Sequence, residues 1–82
     1  NPFNPQTTIA FRLPRAGHAR LDIFDVQGRL VRTLVDGSRD AGEHSVIWDG
    51  NTESGRRAAS GTDVYRLSTD SRVLNRSMVL LK

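Results

Sequence analysis

The chain has 82 residues, the size of one small domain, and it contains no cysteine that could form a disulfide or ligate a metal. Its formal net charge is +3, and 11 of its 12 basic residues are arginine, with Lys82 as the only lysine. Because acidic residues are interspersed with the basic ones, this charge predicts a solvated sheet surface and not a nucleic-acid interface. The sequence shows neither a signal peptide at its start nor an apolar run of the roughly 20 residues needed to span a bilayer.

Alternation of apolar and polar residues predicts six or seven short β-strands separated by turns, with residues 1–6 as an extended lead-in from an upstream domain. The predicted strand segments are, in order, residues 8–13, 18–26, 29–35, 43–48, 56–61, 62–69 and 72–82. Gln27-Gly28 predicts a hairpin with a two-residue loop, because glycine readily adopts positive φ. The segment 29–35 predicts a strand or a strand with a bulge, and it also suits a helical turn. Residues 36–42 predict a loop.

The strand that ends at Trp48 is predicted to organise the core. His44, Val46 and Trp48 occupy alternate positions, so their side chains project from one face of the strand. Gly42 before this strand and Gly50 behind it mark turns. Because Trp48 is the only tryptophan and can bury more apolar surface than any other residue in the chain, the core is predicted to form around its indole ring.

The turn that follows, residues 49–55, offers oxygen atoms at alternate positions, as a calcium-binding loop does. Its glycine is displaced by one position, and Ser60 stands where such a loop needs a bidentate glutamate. Aspartate and asparagine also favour tight turns by bonding their own backbone. The segment therefore predicts a plain turn, with a Ca²⁺ site shared with another loop left open.

Candidate catalytic groups are few. His18 and His44 are the only histidines, and no G-x-S-x-G motif surrounds any serine. His44 lies on the predicted Trp48 face and is interpreted as a packed strand residue, not as a general base. The sequence therefore predicts a domain that is not an enzyme, with no catalytic residue, no metal ligand and no cofactor.

The last segment, residues 76–82, combines apolar strand residues with a basic end. One interpretation is simply the final core strand of the domain. The functional interpretation is a recognition strand that pairs with the edge of a receptor sheet. The residues of this candidate partner-binding strand are Met78, Val79, Leu80, Leu81 and Lys82.

Several segments, taken in order, resemble one known family. They are Asn1 to Pro5, Thr8 to Phe11, Leu21 to Leu34, Ala41 to Gly50, Gly55-Arg56, Ala59 to Gly61, Tyr65 to Leu67 and Met78 to Lys82. The stretch from Leu21 to Leu34 fits the pattern L-x-V-Y-D-x-x-G-R-x-V-x-T-L with Ile23 and Phe24 at its third and fourth positions. Together these segments resemble the C-terminal type A sorting domains of the type IX secretion system. They are similar as well to the immunoglobulin-like domain of flagellar hook-capping proteins.

The resemblance implies an Ig-like β-sandwich at the C-terminus of an exported protein. In the sorting family this domain is recognised by an outer-membrane translocon of Gram-negative bacteria, and it is often cleaved when cargo is attached to the surface. The final strand, here Met78 to Lys82, carries most of that signal. The chain departs from the family at Asp63, where an aromatic residue is frequent, and at Thr52, where an acidic or amide residue is frequent.

The residues and the resemblance together predict an all-β, Ig-like antiparallel sandwich of about seven strands that forms a single domain over residues 1–82. The predicted function is a non-catalytic C-terminal sorting or anchoring module, recognised by a type IX-like secretion system for export and surface attachment of upstream cargo. The alternative is a structural Ig-like domain that mediates domain or subunit contacts in an extracellular assembly or a flagellar hook cap. The expected partner is a protein, with no nucleic acid and no stable membrane insertion. The expected location is secreted or at the cell surface of a Gram-negative-type bacterium.

Overall fold

The computed structural model describes residues 6–58, 61–70 and 73–80, with side chains described in 6–58 and 64–70. Six β-strands lie in this part of the chain. They are β1 (Thr7–Leu13), β2 (Gly17–Asp25), β3 (Leu30–Arg39), β4 (Gly42–Trp48), β5 (Gly61–Thr69) and β6 (Val73–Leu80). The prediction of an all-β chain is confirmed.

The strands form two antiparallel sheets, as predicted for a β-sandwich. β1 and β4 form one sheet, in which Ile9 lies opposite Val46 and Phe11 lies opposite His44. The other sheet has the strand order β3-β2-β5-β6. Within the described residues, β3 and β6 are therefore the two edges of the four-stranded sheet.

The core lies between the two sheets because alternate residues of each strand are apolar. In β2, Ala19, Leu21 and Ile23 are all 0% exposed, and they share the inner face of the four-stranded sheet. The buried apolar residues of the described chain are Ile9, Leu13, Ala19, Leu21, Ile23, Val35, Trp48, Ala58 and Leu67. Each large apolar side chain buried in this way stabilises the fold by about 1.5–3 kcal/mol.

A hairpin joins β2 to β3 where the sequence predicts one, but its loop has three residues, 26–28, between the paired Asp25 and Arg29, and not two. The N–H of Gly28 donates to the carbonyl of Asp25 at 3.0 Å, and the N–H of Asp25 donates to the carbonyl of Arg29 at 3.0 Å. Gly28 has a φ of 85°, a conformation that a side chain would strain. The Asp25 carboxylate also accepts the N–H groups of Gln27 and Arg29, at 2.9 and 3.0 Å. One side chain thus holds most of the turn.

β3 is longer than its sequence predicts. Residues 36–39 belong to the strand, whereas the sequence predicted a loop over residues 36–42. The reason is cross-strand pairing, because residues 36–39 lie opposite residues 17–20 of β2. This pairing supplies partners for the backbone N–H and C=O groups of a stretch that has almost no apolar residue of its own.

β3 is also irregular, which explains why its apolar residues do not alternate. The register with β2 shifts after Leu21 and again after Ile23. At these bulges β3 contains an extra residue, first Leu34 and then Val31. As a result Val31, Leu34 and Val35 all contact the core from a strand, and the helical-turn interpretation of this segment is wrong.

The segment 56–61, predicted as an edge strand or a bulge, is not a named strand where the structure describes it before Gly61. Arg57 forms an isolated bridge with Asn51, and β5 begins at Gly61. Residues 59 and 60 lie outside the described residues. The described chain therefore has six strands where the sequence predicted about seven.

Within the described residues, no helix is long and apolar enough to cross a membrane.

Candidate functional site

Trp48, the predicted core anchor, stands at the end of β4 with its side chain 0% exposed. Its indole Nε1 donates to the carbonyl oxygen of Asn51 at 2.9 Å. A buried N–H without an acceptor would cost about 1–3 kcal/mol. The hydrogen bond therefore allows complete burial of the ring, and it also attaches the following turn to the core.

The turn after Trp48 uses its oxygen atoms for its own structure. The Asp49 carboxylate accepts the backbone N–H of Asn51 at 2.9 Å and the Asn51 Nδ2 at 3.3 Å. Arg57 donates to the Asp49 carbonyl at 2.9 Å, and a nitrogen of Arg32 lies 3.5 Å from the Asp49 carboxylate. Two neighbouring guanidinium groups would repel an added cation. Within the described residues, no group of three His, Cys, Asp or Glu side chains is placed to hold a metal ion.

The same turn covers part of the edge of β3. The N–H of Glu53 donates to the carbonyl of Val31 at 3.0 Å, and the N–H of Thr33 donates to the Glu53 carboxylate at 3.5 Å. An unpaired strand edge is a template for pairing with another chain. At these two positions the edge of β3 is therefore shielded from strand addition.

The outer face of the four-stranded sheet is the face directed away from β1 and β4. Asp22 lies on this face, where alternation predicts exposure, yet it is only 6% exposed. Arg20 Nε donates to both Asp22 carboxylate oxygens, at 3.1 and 2.9 Å, and Thr33 Oγ1 donates to one of them at 2.7 Å. The hydrogen bond to Asp22 raises the pKa of Arg20, so this guanidinium stays charged. Asp22 is a buried acid that the sequence pattern did not reveal.

The network around Asp22 continues along the outer face. A nitrogen of Arg20 lies 3.8 Å from the Asp36 carboxylate, and His18 Nε2 lies 2.8 Å from the other oxygen of the same group. The signal available in the sequence was the i, i+2 spacing of His18, Arg20 and Asp22, which places them on one face. Which residues of β3 pair with these three side chains depends on the register of β2 with β3, and a local sequence pattern does not predict that register.

The two histidines have separate structural contacts. His18 is paired with Asp36, as described above. The His44 ring stacks on Phe11 with centroids 5.2 Å apart and planes 20° apart, and its Nε2 lies 2.7 Å from the carbonyl oxygen of Asp40. A nucleophilic triad needs a histidine bonded to a serine. Within the described residues neither imidazole makes that contact.

The predicted recognition strand corresponds in part to the end of β6. Met78, Val79 and Leu80 lie opposite residues 61–63 of β5, and β6 is an edge of the four-stranded sheet in the described chain. Leu81 and Lys82 lie outside the described residues, as do residues 1–5 of the predicted lead-in. The binding role of this strand stays a prediction.

Comparison with protein families gives a match over most of the chain. The sequence model of the FlgD Ig-like domain family matches residues 2–72, which is most of the chain. No curated protein matches the chain.

Solved structures of FlgD proteins share its fold. The crystal structure of FlgD from P. aeruginosa superposes with a TM-score of 0.71 at 24% sequence identity, over 92% of this chain and 59% of that chain. The crystal structure of FlgD from Xanthomonas campestris, a protein of the hook capping essential for flagellar assembly, also superposes with a TM-score of 0.71 at 24% sequence identity, over 94% of this chain and 56% of that chain. The similarity confirms the predicted Ig-like fold. The chain spans somewhat more than half of the length of either protein.

Proposed function

The chain belongs to the FlgD Ig-like domain family, and we propose that it is a structural domain that mediates domain or subunit contacts in an extracellular assembly such as a flagellar hook cap. The family match over residues 2–72 carries this proposal. The family is a structural one without catalytic activity. The structural alternative predicted from the sequence thus has more support than the sorting module.

The surface of the sandwich supports a role in protein contacts. Three large apolar side chains of the described chain are well exposed: Val26 at 71%, Leu30 at 50% and Ile47 at 61%. Val26 and Leu30 belong to the β2–β3 hairpin, whereas Ile47 lies on the outer side of the two-stranded sheet. The proposed contact surface is the one that contains Val26 and Leu30, since a single exposed apolar residue such as Ile47 is ordinary on a protein surface. The proposed location is outside the cytoplasm, at the surface of a Gram-negative-type bacterium.

A type IX-like sorting signal is the second candidate, and one observation favours it. β6 is an edge strand, so the backbone of Met78 to Leu80 has one side without a strand partner among the described residues. Such an edge can pair with a strand of a receptor. In this proposal Leu81 and Lys82 would complete the recognised segment.

Removal of the terminal residues separates the two candidates. A reporter fused to the whole chain is compared, in a bacterium with a type IX system, with a fusion that lacks Leu81 and Lys82, which leaves all of β6 in place. The assembly proposal expects neither fusion to reach the cell surface, whereas sorting expects export that the truncation abolishes. Export of the whole-chain fusion, lost on truncation with the thermal melt unchanged, would overturn the assembly proposal.

The assembly proposal has its own positive test in the native host. Deleting the domain from the full protein should abolish formation of the extracellular assembly while export of the remaining polypeptide continues. Restoring the domain with Trp48→Ala, which should unfold it, serves as the matched control and should also fail. Normal assembly without the domain would contradict the proposal.

A further inference from the structure

An apolar row crosses three strands on the outer face of the four-stranded sheet. Phe24 of β2 lies opposite Leu30 of β3 on one side and opposite Val64 of β5 on the other. Leu30 is half exposed, and Phe24 and Val64 are partly exposed. Val26, at 71% exposure, extends the row into the β2–β3 turn. We call Phe24, Val26, Leu30 and Val64 the hairpin patch.

A concave site accompanies the hairpin patch. A cavity of ≈ 320 Å³ is lined by Phe24, Asp25, Val26, Gly28, Val64 and Arg66. A Cβ added at Gly28 would have no atom within 4 Å, so no side chain closes this side of the cavity. The cavity is large enough to receive an apolar side chain, and isolated exposed apolar residues would not create such a site.

Two arginines border the hairpin patch among the described side chains, and the first of them, Arg29, is ion-paired with Asp25. The Asp25 carboxylate accepts the N–H groups of Gln27 and Arg29 and the Arg29 Nε, all between 2.9 and 3.0 Å. Its hydrogen-bonding capacity is therefore largely used within the turn. The Arg29 side chain is 74% exposed, so the rest of its guanidinium faces solvent.

A second cation lies at the other side of the cavity. The guanidinium carbon of Arg66 lies 4.7 Å from the centroid of the Phe24 ring. The nearby acid Asp22 is buried beneath Arg20 and Thr33, and it therefore contributes little negative surface. The hairpin patch is thus an apolar surface bordered by the guanidinium groups of Arg29 and Arg66.

We propose that the hairpin patch is the docking surface for an acidic segment of a partner protein, whose apolar side chain enters the cavity while its carboxylates pair with Arg29 and Arg66. This inference rests on the proposed function as a contact domain and specifies the surface and the partner chemistry. Aromatic residues and arginines are enriched among the residues that dominate binding energy at interfaces. Charge complementarity adds orientation and selectivity to the apolar contact.

The test uses the whole isotope-labelled chain, titrated by NMR with a short blocked peptide that alternates glutamate with leucine. Shift changes are expected at the amides of Phe24, Val26, Leu30 and Val64, with binding that weakens as salt is raised. A peptide that alternates lysine with leucine, and one that alternates glutamate with serine, should each bind at least about tenfold more weakly.

Variants identify the surface directly. The double variant Val26→Ser with Leu30→Ser should bind the glutamate–leucine peptide at least about tenfold more weakly, and Val26→Ser alone should show part of that loss. Ile47→Ser is the matched control, because Ile47 is 61% exposed on the other sheet, and its binding should be unchanged. Thermal melts of each variant show that the fold is kept.

Several results would overturn the inference. If the lysine–leucine peptide binds as tightly as the glutamate–leucine peptide, the surface does not select acidic partners. If Ile47→Ser weakens binding as much as the Val26→Ser, Leu30→Ser double variant does, the peptide does not bind at the hairpin patch. Self-association in sedimentation experiments that Val26→Ser abolishes would assign the surface to a second copy of the chain. Failure of peptide binding leaves the assembly test in the host unaffected, so the two proposals fail separately.

Discussion

Trp48 connects the core to the turn that follows β4. Its ring fills the core at the end of β4, and its Nε1 bonds the carbonyl of Asn51 in the turn that shields β3. Packing of the ring and position of the turn are therefore coupled. A change at Trp48 acts on the core and on the edge of the four-stranded sheet together.

Trp48→Ala should lower the free energy of unfolding by about 3–5 kcal/mol, because it removes the largest buried side chain and leaves a cavity. The stability of so small a domain lies near the lower end of the usual range of about 5–15 kcal/mol, so this loss is enough to populate the unfolded state. Chemical denaturation followed by circular dichroism measures the difference. Ile47→Ala, the adjacent but exposed position, should change stability by less than about 1 kcal/mol, and equal effects at both positions would contradict the assignment.

Asp25 carries a pH-dependent contribution to stability. The N–H of Arg29 lowers the pKa of the Asp25 carboxyl below its ordinary value of 3.8, and the Arg29 side chain and the N–H of Gln27 add to this effect while burial opposes it. Because the pKa is lower in the folded state, the contribution is fully present above pH 3.8 and is lost as pH falls through the folded pKa.

Asp25→Asn should therefore destabilise the chain at neutral pH, and the difference from wild type should shrink as pH falls below 3.8. Denaturation curves recorded across this range measure it. Glu43, paired at 3.7 Å with Arg12 and highly exposed, supplies the control substitution Glu43→Gln, which should have little effect at neutral pH. If the difference in stability between Asp25→Asn and wild type does not change with pH, the charge of Asp25 is not the cause.

At the scale of elements, the β2–β3 hairpin determines the geometry of the edge of the four-stranded sheet. Its turn requires positive φ at Gly28, and its two bulges place Val31 and Leu34 against the core. The same hairpin brings Leu30 beside Phe24 on the outer face. The turn, the bulges and the hairpin patch therefore form one structural unit.

Gly28→Ala should destabilise the chain by about 1–2 kcal/mol, because a Cβ is disfavoured at a φ of 85° although there is space for it. Gly37→Ala is the matched control in the same hairpin, since Gly37 lacks positive φ and the nearest atom to its added Cβ is the end of the flexible Arg39 side chain, at 3.2 Å. Its effect should stay within about 0.5 kcal/mol. Thermal melts give both values, and equal destabilisation would show that backbone conformation is not the cause.

At the scale of the whole molecule, two sheets of unequal width are joined into one core. The two-stranded sheet contributes Ile9, Leu13 and Trp48. Ala58, which lies between β4 and β5 and outside the named strands, adds to the same core. The four-stranded sheet is completed by β6, which pairs with β5 from Gly61 to Ser68. The family match ends at residue 72, before this strand begins.

A chain truncated after residue 72 should lose its cooperative thermal transition, because β5 would lose all its pairing with β6 and a domain of this size has little stability to spare. The control, truncated after Leu80, keeps every residue of β6 and should melt like the whole chain. Far-UV circular dichroism during heating distinguishes the two. A normal melt for the shorter chain would mean that β6 is dispensable for folding.

The amino-acid sequence by itself determined the all-β class, the turn at Gln27-Gly28 and the apolar face of β4 that contains Trp48. These features follow from residue alternation and turn chemistry, which act over a few neighbouring residues. Only the tertiary structure decided the length of β3, the burial of Asp22 and the hairpin patch. Each of these depends on which residues of β2, β3 and β5 lie side by side, and register is set by packing between strands that are distant along the chain.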